Sequence, residues 1–194
     1  MSFMRFIFIL VCSVYSGFVA AVDTADFEIQ FKDLPFEMAI KKTFGNGSRK
    51  IAHFSDPNCT ACKELQINAL SKIEDATIFL FLYPVLSDKS VPIAKRIWCS
   101  NDPYKAWMDY VELDLAPVSN TNCNNPINAV LEFGKANGIY ATPTLFLNDG
   151  GVVVANLDLD ALETVLSEEV SDSETSDFYT NIPGPCGGEN MINR

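Results

Sequence analysis

Cys59 and Cys62, three positions apart, hold the most reactive side chains in this chain of 194 residues. A pair so spaced can close a small disulfide ring and reopen it by thiol exchange. The stretch before it, 49–55, reads as a strand, and Asp56, Pro57 and Asn58 read as a turn. Beyond the pair, Cys62, Leu65, Ala69 and Ile73, with Leu70 beside them, share one helical stripe. Cys59 is therefore expected at a helix N-terminus, where free N–H groups and the helix dipole favour thiolate over thiol. The expected asymmetry is an exposed, reactive Cys59 and a shielded Cys62 one turn in. Two other readings compete. Structural zinc needs a second such pair or nearby histidines, and Cys99 and Cys123 are too far apart in sequence to supply one. A purely structural disulfide conflicts with the lability of so short a ring.

The elements that must position this pair follow from periodicity. Residues 27–32 alternate apolar and polar and predict a strand; 34–44 predict a short helix with Pro35 in its first turn. Gly45 to Ser48 predict a turn. The continuous apolar run 77–82 suits a buried internal strand, and the helix joining it to 49–55 implies a parallel crossover. Between about 88 and 140 the pattern is helical, with Ile93, Ala94, Ile97 and Trp98 on one face and Ile127, Val130, Leu131 and Gly134 on another. Residues 117–122 read as the loop between. Strands resume at 143–147 and 151–155, joined by the hairpin signal Asn148-Asp149-Gly150. A last helix is expected from Asp160, with Glu163 placed for a capping box and Leu159, Leu162, Val165 and Leu166 as its buried stripe.

Composition narrows the function. A hydrophobic fraction of 48% and a charged fraction of 20% fit one globular domain. A net charge of −11 argues against nucleic acid as a partner. A single histidine leaves no His-based triad or multi-histidine metal site. His53 itself reads either as a packed strand residue or as a group tuning Cys59, and alternation alone leaves its direction open. Arg5, the apolar run after it and Val19-Ala20-Ala21 predict a signal peptide over 1–21. An uncleaved anchor is the alternative, although the apolar run is short for a span. Cleavage takes away Arg5 and Cys12, carrying the charge to −12 and leaving five cysteines. The domain is expected over 22–170. The acidic, then Gly/Pro-rich stretch 171–194 is expected to be a disordered tail. Cys186 there reads as an unpaired thiol or an intermolecular bridge.

The segment Phe54-Ser55-Asp56-Pro57-Asn58-Cys59-Thr60-Ala61-Cys62-Lys63 resembles the active-site segment of the DsbC/DsbG family of periplasmic thiol:disulfide interchange proteins. Ile97-Trp98-Cys99, the later Cys123, and Gly138 to Thr144 followed by Asp149-Gly150 resemble that family in the same order, over about 27–169. The resemblance implies an α/β thioredoxin-like fold with a helical insertion between the parallel βαβ unit and the C-terminal hairpin. It implies Cys59 as nucleophile and Cys62 as resolving thiol. Pro143 is implied as a cis-proline facing them, Thr142 as a substrate contact, and Cys99–Cys123 as a structural disulfide. No metal or organic cofactor is implied. Substrates are expected to be exported proteins with cysteines, and a DsbD-type membrane donor is expected to keep the pair reduced. Localisation is expected in the periplasm of a Gram-negative cell. Family members usually carry an N-terminal dimerisation domain. With only about a dozen residues between leader and first helix, a monomer is expected here. A monomeric oxidase, and a non-catalytic chaperone or assembly factor on the same fold, stand as alternatives.

Overall fold

A computed structural model describes residues 29–167. The leader 1–21, the start of the 27–32 segment, the tail 171–194, Cys12 and Cys186 lie outside them. Five strands form one sheet: β1 (Ile40–Phe44), β2 (Arg49–Ser55), β3 (Ala76–Leu82), β4 (Thr144–Leu147) and β5 (Val152–Val153), in the order β1-β3-β2-β4-β5. β2 and β3 are parallel and the other neighbours antiparallel. Helix α1 (Thr60–Leu65) joins β2 to β3 and runs on into a π-helical turn, Gln66–Leu70. Helices α2 (Ser90–Trp98), α3 (Pro103–Leu113) and α4 (Ile127–Ala136) separate β3 from the β4–β5 hairpin, and α5 (Leu159–Ser167) follows it. The βαβ unit, the helical insertion and the hairpin thus stand where the sequence pattern puts them.

The sheet divides the core. On one face Ile51, Ile78, Leu145 and Leu147 pack against Leu65, Ala69 and Leu70 after the cysteine pair and against Leu162 and Val165 of α5. Leu80 and Leu82 extend that face toward Ala94, Ile97 and Trp107 of the insertion. On the other face Ala52, Phe54, Phe81, Tyr83 and Phe146 pack under Val130 of α4 and Leu34. Phe54 and Phe81 lie stacked, ring centroids 4.5 Å apart.

The N-terminal segment departs from expectation. Residues 31–33 and 36–38 are short 3-10 turns, and the strand lies at Ile40–Phe44, inside the expected helix. Aromatic packing and strand pairing decide this. Phe31 and Phe36 close over Phe79, which breaks the regular alternation of 27–32. The open side of β3 takes up 40–44, whose burial alternates along the strand in step with the sheet. The four-residue turn after β1 crosses the start of β3: the Asn46 N–H donates to Asp75 at 2.9 Å and the Thr77 hydroxyl to the Gly47 carbonyl at 3.2 Å. Gly45 and Gly47 both sit at positive φ, 53° and 69°, which glycine adopts without a Cβ clash.

At the C-terminal end Asp158, not Asp160, caps α5, its carboxylate accepting the Ala161 N–H at 2.9 Å. Glu163 forms no capping box and is bound instead by the Arg49 guanidinium of β2. A basic partner across the fold captures the carboxylate that the sequence pattern assigns to the helix end.

Gly134 in α4 is a packing requirement. A Cβ there would stand 2.5 Å from the Tyr83 ring, whose hydroxyl donates to the Ile139 carbonyl at 2.6 Å. Burial, and then Tyr140, pushes the Tyr83 phenol up to about 12, so it stays a donor. Gly134→Ala is expected to cost about 1–3 kcal/mol through overpacking. A urea midpoint lowered without a change in slope is the expected result, and an unchanged midpoint would show that the ring yields freely.

Candidate active site

β2 ends in a turn that its own side chains stabilise. The fully buried Asp56 carboxylate accepts the N–H groups of Asn58 and Leu86, both at 2.8 Å. The Cys59 N–H donates to the Asp56 carbonyl at 3.0 Å. Asn58 reaches into the insertion: its amide donates to the Ser90 hydroxyl of α2 at 3.0 Å and accepts from the Tyr110 hydroxyl of α3 at 2.9 Å. Burial, then the carboxylates of Asp114 and Asp56, raises the Tyr110 phenol and keeps it a donor. The Lys63 ammonium lies 4.4 Å from the centre of the Tyr110 ring and 3.4 Å from Asp114. None of Asp56, Asn58, Ser90 and Tyr110 was legible as a site residue. Only the first two, close before Cys59, carry a local signal, that of a polar turn.

Cys59 occupies the N-cap of α1 with extended backbone, and its sulfur accepts the Cys62 N–H at 3.1 Å. The thiol stands where a serine or aspartate oxygen usually caps, so a helix-end N–H supports negative charge on it. On its other side the Cys59 thiol donates to the Thr142 carbonyl at 3.4 Å. The peptide bond from Thr142 to Pro143 is cis, and the Cys59–Thr142 hydrogen bond brings the proline loop to the cysteine pair. The loop is held from behind by the Thr144 hydroxyl on the Ala141 carbonyl at 2.8 Å and by Tyr83 on Ile139. Tyr140 in that loop is 65% exposed, and Leu86, whose N–H is held by Asp56, is exposed as well.

Two expectations need adjustment. Cys59 is buried to the same extent as Cys62, at 0% exposure, because the Thr142 carbonyl and the start of α1 cover its sulfur. The asymmetry of the pair therefore lies in hydrogen bonding rather than exposure. The Thr142 side chain is buried, its hydroxyl without a partner among the described residues, so the carbonyl is what it presents to Cys59. The direction of His53, open in the sequence, is settled by register. It pairs with Leu80 and Leu145 on the sheet face that carries α1, fully buried, and burial pushes it down to about 3.

Cys99 and Cys123 are joined as a disulfide, with Cα atoms 5.7 Å apart. It ties the end of α2 to the loop before α4. The length of α2, about 13 Å by its rise per residue, separates it from Ser90 and Asn58. Joined to each other, these cysteines are not available as metal ligands beside Cys59 and Cys62. The bridge joins positions 24 apart in sequence. Cys99→Ser is expected to cost about 2–5 kcal/mol, read by chemical denaturation, while the folded fraction keeps its thiol exchange. A different partner for Cys99 in mass mapping of the oxidised protein would contradict this.

Comparison with known proteins agrees with this geometry. The profile of a family described as a thioredoxin-like domain matches residues 36–166. A disulfide interchange protein from Neisseria gonorrhoeae, known from its crystal structure, is 32% identical. It superposes with a TM-score of 0.64 over 69% of this chain and 96% of that one. The chain belongs to the thioredoxin-like disulfide interchange family. Probable thiol:disulfide interchange proteins DsbC of Bordetella pertussis and Bordetella avium are 37% identical over 138 residues and 40% identical over 124 residues. These alignments take in 71% and 62% of this chain but 49% and 43% of those proteins. The chain therefore spans about half the length of the curated relatives it matches.

Proposed function

We propose that this thioredoxin-like chain is an exported thiol:disulfide oxidoreductase that reduces or isomerises disulfides of cysteine-containing proteins. The observation that carries the reading is the placing of the Cys59 sulfur between the Cys62 N–H and the Thr142 carbonyl of the cis-proline loop. Its similarity to disulfide interchange proteins supports it.

As a thiolate, Cys59 attacks one sulfur of a substrate disulfide. A bond forms between Cys59 and that sulfur, and the second substrate sulfur leaves with the electron pair. Cys62 then attacks Cys59, which releases the substrate thiol and leaves the protein oxidised by two electrons. If a substrate thiol attacks the mixed disulfide instead, the substrate is isomerised and the protein regains its reduced form. Substrate backbone beside Thr142 and Pro143 aligns the incoming disulfide, and approach to the covered Cys59 requires that loop to yield. A DsbD-type membrane donor returns electrons to the pair. The site of action is the periplasm, and the protein works as a monomer.

Reduced protein is mixed with insulin, and with scrambled ribonuclease in a second assay, while light scattering measures its mass. Catalysed insulin reduction with slow ribonuclease reshuffling and a monomeric mass is the expected result. No catalysis in either assay would remove the oxidoreductase reading. A stable dimer with strong reshuffling would replace the monomer with a paired isomerase.

A further inference from the structure

A groove on the helical insertion lies beside the cysteine pair and takes no part in the chemistry above. It opens between α2, α3 and the segment that leaves α3, with a volume of about 380 Å³. That lies within the range of ligand pockets, roughly 300–1,000 Å³. Ile93, Tyr110 and the buried Pro117 give it apolar walls, and the exposed Ala116 forms part of its rim. Arg96 and Asp114 add one charge of each sign.

A chain of contacts ties the groove to the site. The Tyr110 hydroxyl donates to Asn58 at 2.9 Å, one residue before Cys59. Asp114 accepts from the Lys63 ammonium at 3.4 Å, one residue after Cys62. Two lining residues therefore hold the flanks of the cysteine segment. A substrate joined to Cys59 as a mixed disulfide is tethered there, so its neighbouring residues meet the groove at high effective concentration. The path from Cys59 to Tyr110 is one peptide unit, about 3.8 Å, one asparagine side chain and the hydrogen bond. Five residues of extended chain, about 16 Å, cover it.

The surface around the groove suits an extended, apolar chain. Leu113, Leu115 and Val118 are 61%, 55% and 100% exposed. A single exposed apolar residue is ordinary, but three in so short a segment mark an interaction surface. The N–H groups of Ala116 and Val118 make no hydrogen bond among the described residues, so backbone is on offer as well. Charge narrows the choice. Asp114 is engaged by Lys63, whereas the exposed Arg96 has no ion pair among the described residues. Its guanidinium is left to take a carboxylate.

We propose that this groove is a substrate subsite, which receives an apolar side chain of the polypeptide held on Cys59, within about five residues of the substrate cysteine. Arg96 favours an acidic residue beside that side chain. The proposal rests on the oxidoreductase reading of Cys59 and Cys62 and names what that site prefers. Folded proteins bury most of their large apolar side chains, so the subsite favours unfolded or misfolded polypeptides.

The test measures kcat/KM of the reduced full chain on synthetic peptide disulfides. Each peptide carries one phenylalanine two to five residues from the cysteine, on either side, in a Gly/Ser background, with or without a neighbouring glutamate. A Gly/Ser peptide lacking phenylalanine and the small 2-hydroxyethyl disulfide are the controls. At a preferred spacing phenylalanine is expected to raise kcat/KM about tenfold, as burial of one large apolar side chain does. Glutamate should add about threefold. Ala116→Glu and Ala116→Trp, which charge or fill the rim, should erase the phenylalanine gain and leave 2-hydroxyethyl disulfide at the wild-type rate. Arg96→Glu should reverse the glutamate effect and keep the phenylalanine gain. Equal kcat/KM for all peptides in the wild type, with exchange intact, overturns the proposal and needs no variant to fold. A groove filled by residues 171–194 of the same chain would give that result. Retention of the gain in both Ala116 variants overturns it too, as does a dimer by light scattering that Ala116→Glu separates, since the groove then holds a second copy. No exchange with any disulfide, the small control included, overturns instead the oxidoreductase reading, and this subsite with it.

Discussion

Cys59→Ser is expected to abolish disulfide exchange, lowering the rate about a thousandfold or more, as removal of a nucleophile does. A hydroxyl at the same N-cap accepts the same helix-end N–H but does not ionise near neutral pH, so the cap survives and the chemistry does not. The stability of Cys59→Ser should therefore stay near that of wild type. Cys62→Ser behaves differently. Attack by Cys59 continues, but the intermediate waits for an external thiol, so the protein accumulates as a mixed disulfide. Thiol trapping of both variants with a peptide disulfide reads the difference directly. Equal alkylation of Cys59 and Cys62 in the reduced wild type, and full complementation of a deletion strain by Cys59→Ser, would together point to the binding role of a chaperone or assembly factor.

Mild acid should destabilise the protein through its buried histidine. His53 has an ordinary pKa of 6.5 and is pushed down to about 3 by burial. The folded pKa is depressed, so stability is complete above pH 6.5 and is lost as the pH falls toward the folded value, because only the unfolded chain takes up the proton. The slope approaches about 1.4 kcal/mol per pH unit. Urea midpoints at pH 7, 6 and 5 should fall in that order, and His53→Leu should flatten the series. A wild-type series that is flat between pH 7 and 5 would mean that His53 reaches a proton-stabilising partner when folded.

What was legible in the sequence was whatever depends on local spacing. The stripe after Cys62, the apolar run 77–82 and the hairpin at Asn148-Asp149-Gly150 became the elements their patterns describe. Long-range choices were not legible. Residues 40–44 pair with β3 because β3 has an open side, which no window around Ile40 contains. Glu163 has the spacing of a capping residue, but Arg49, 114 positions away, holds it. At the site, the cysteine pair and Pro143 announce themselves by motif. Tyr110 and Ser90 reach Asn58 only once the insertion has folded back over the turn. The direction of His53 depends on strand register, which sets a face only when both neighbours are known.

The sheet of the described residues ends in two edge strands. One is β1, with Lys41 and Thr43 exposed on it, and the other is β5, two residues long. Neither is a good template for a foreign extended segment: one repels through charge and the other is too brief to propagate a ladder. Polypeptides that still need their disulfides rearranged are rich in unsatisfied extended segments. Under the proposed function, a chain that meets such segments gains from sheet borders that disfavour annealing, because strand addition at either edge is then a poor alternative to exchange at the cysteine pair.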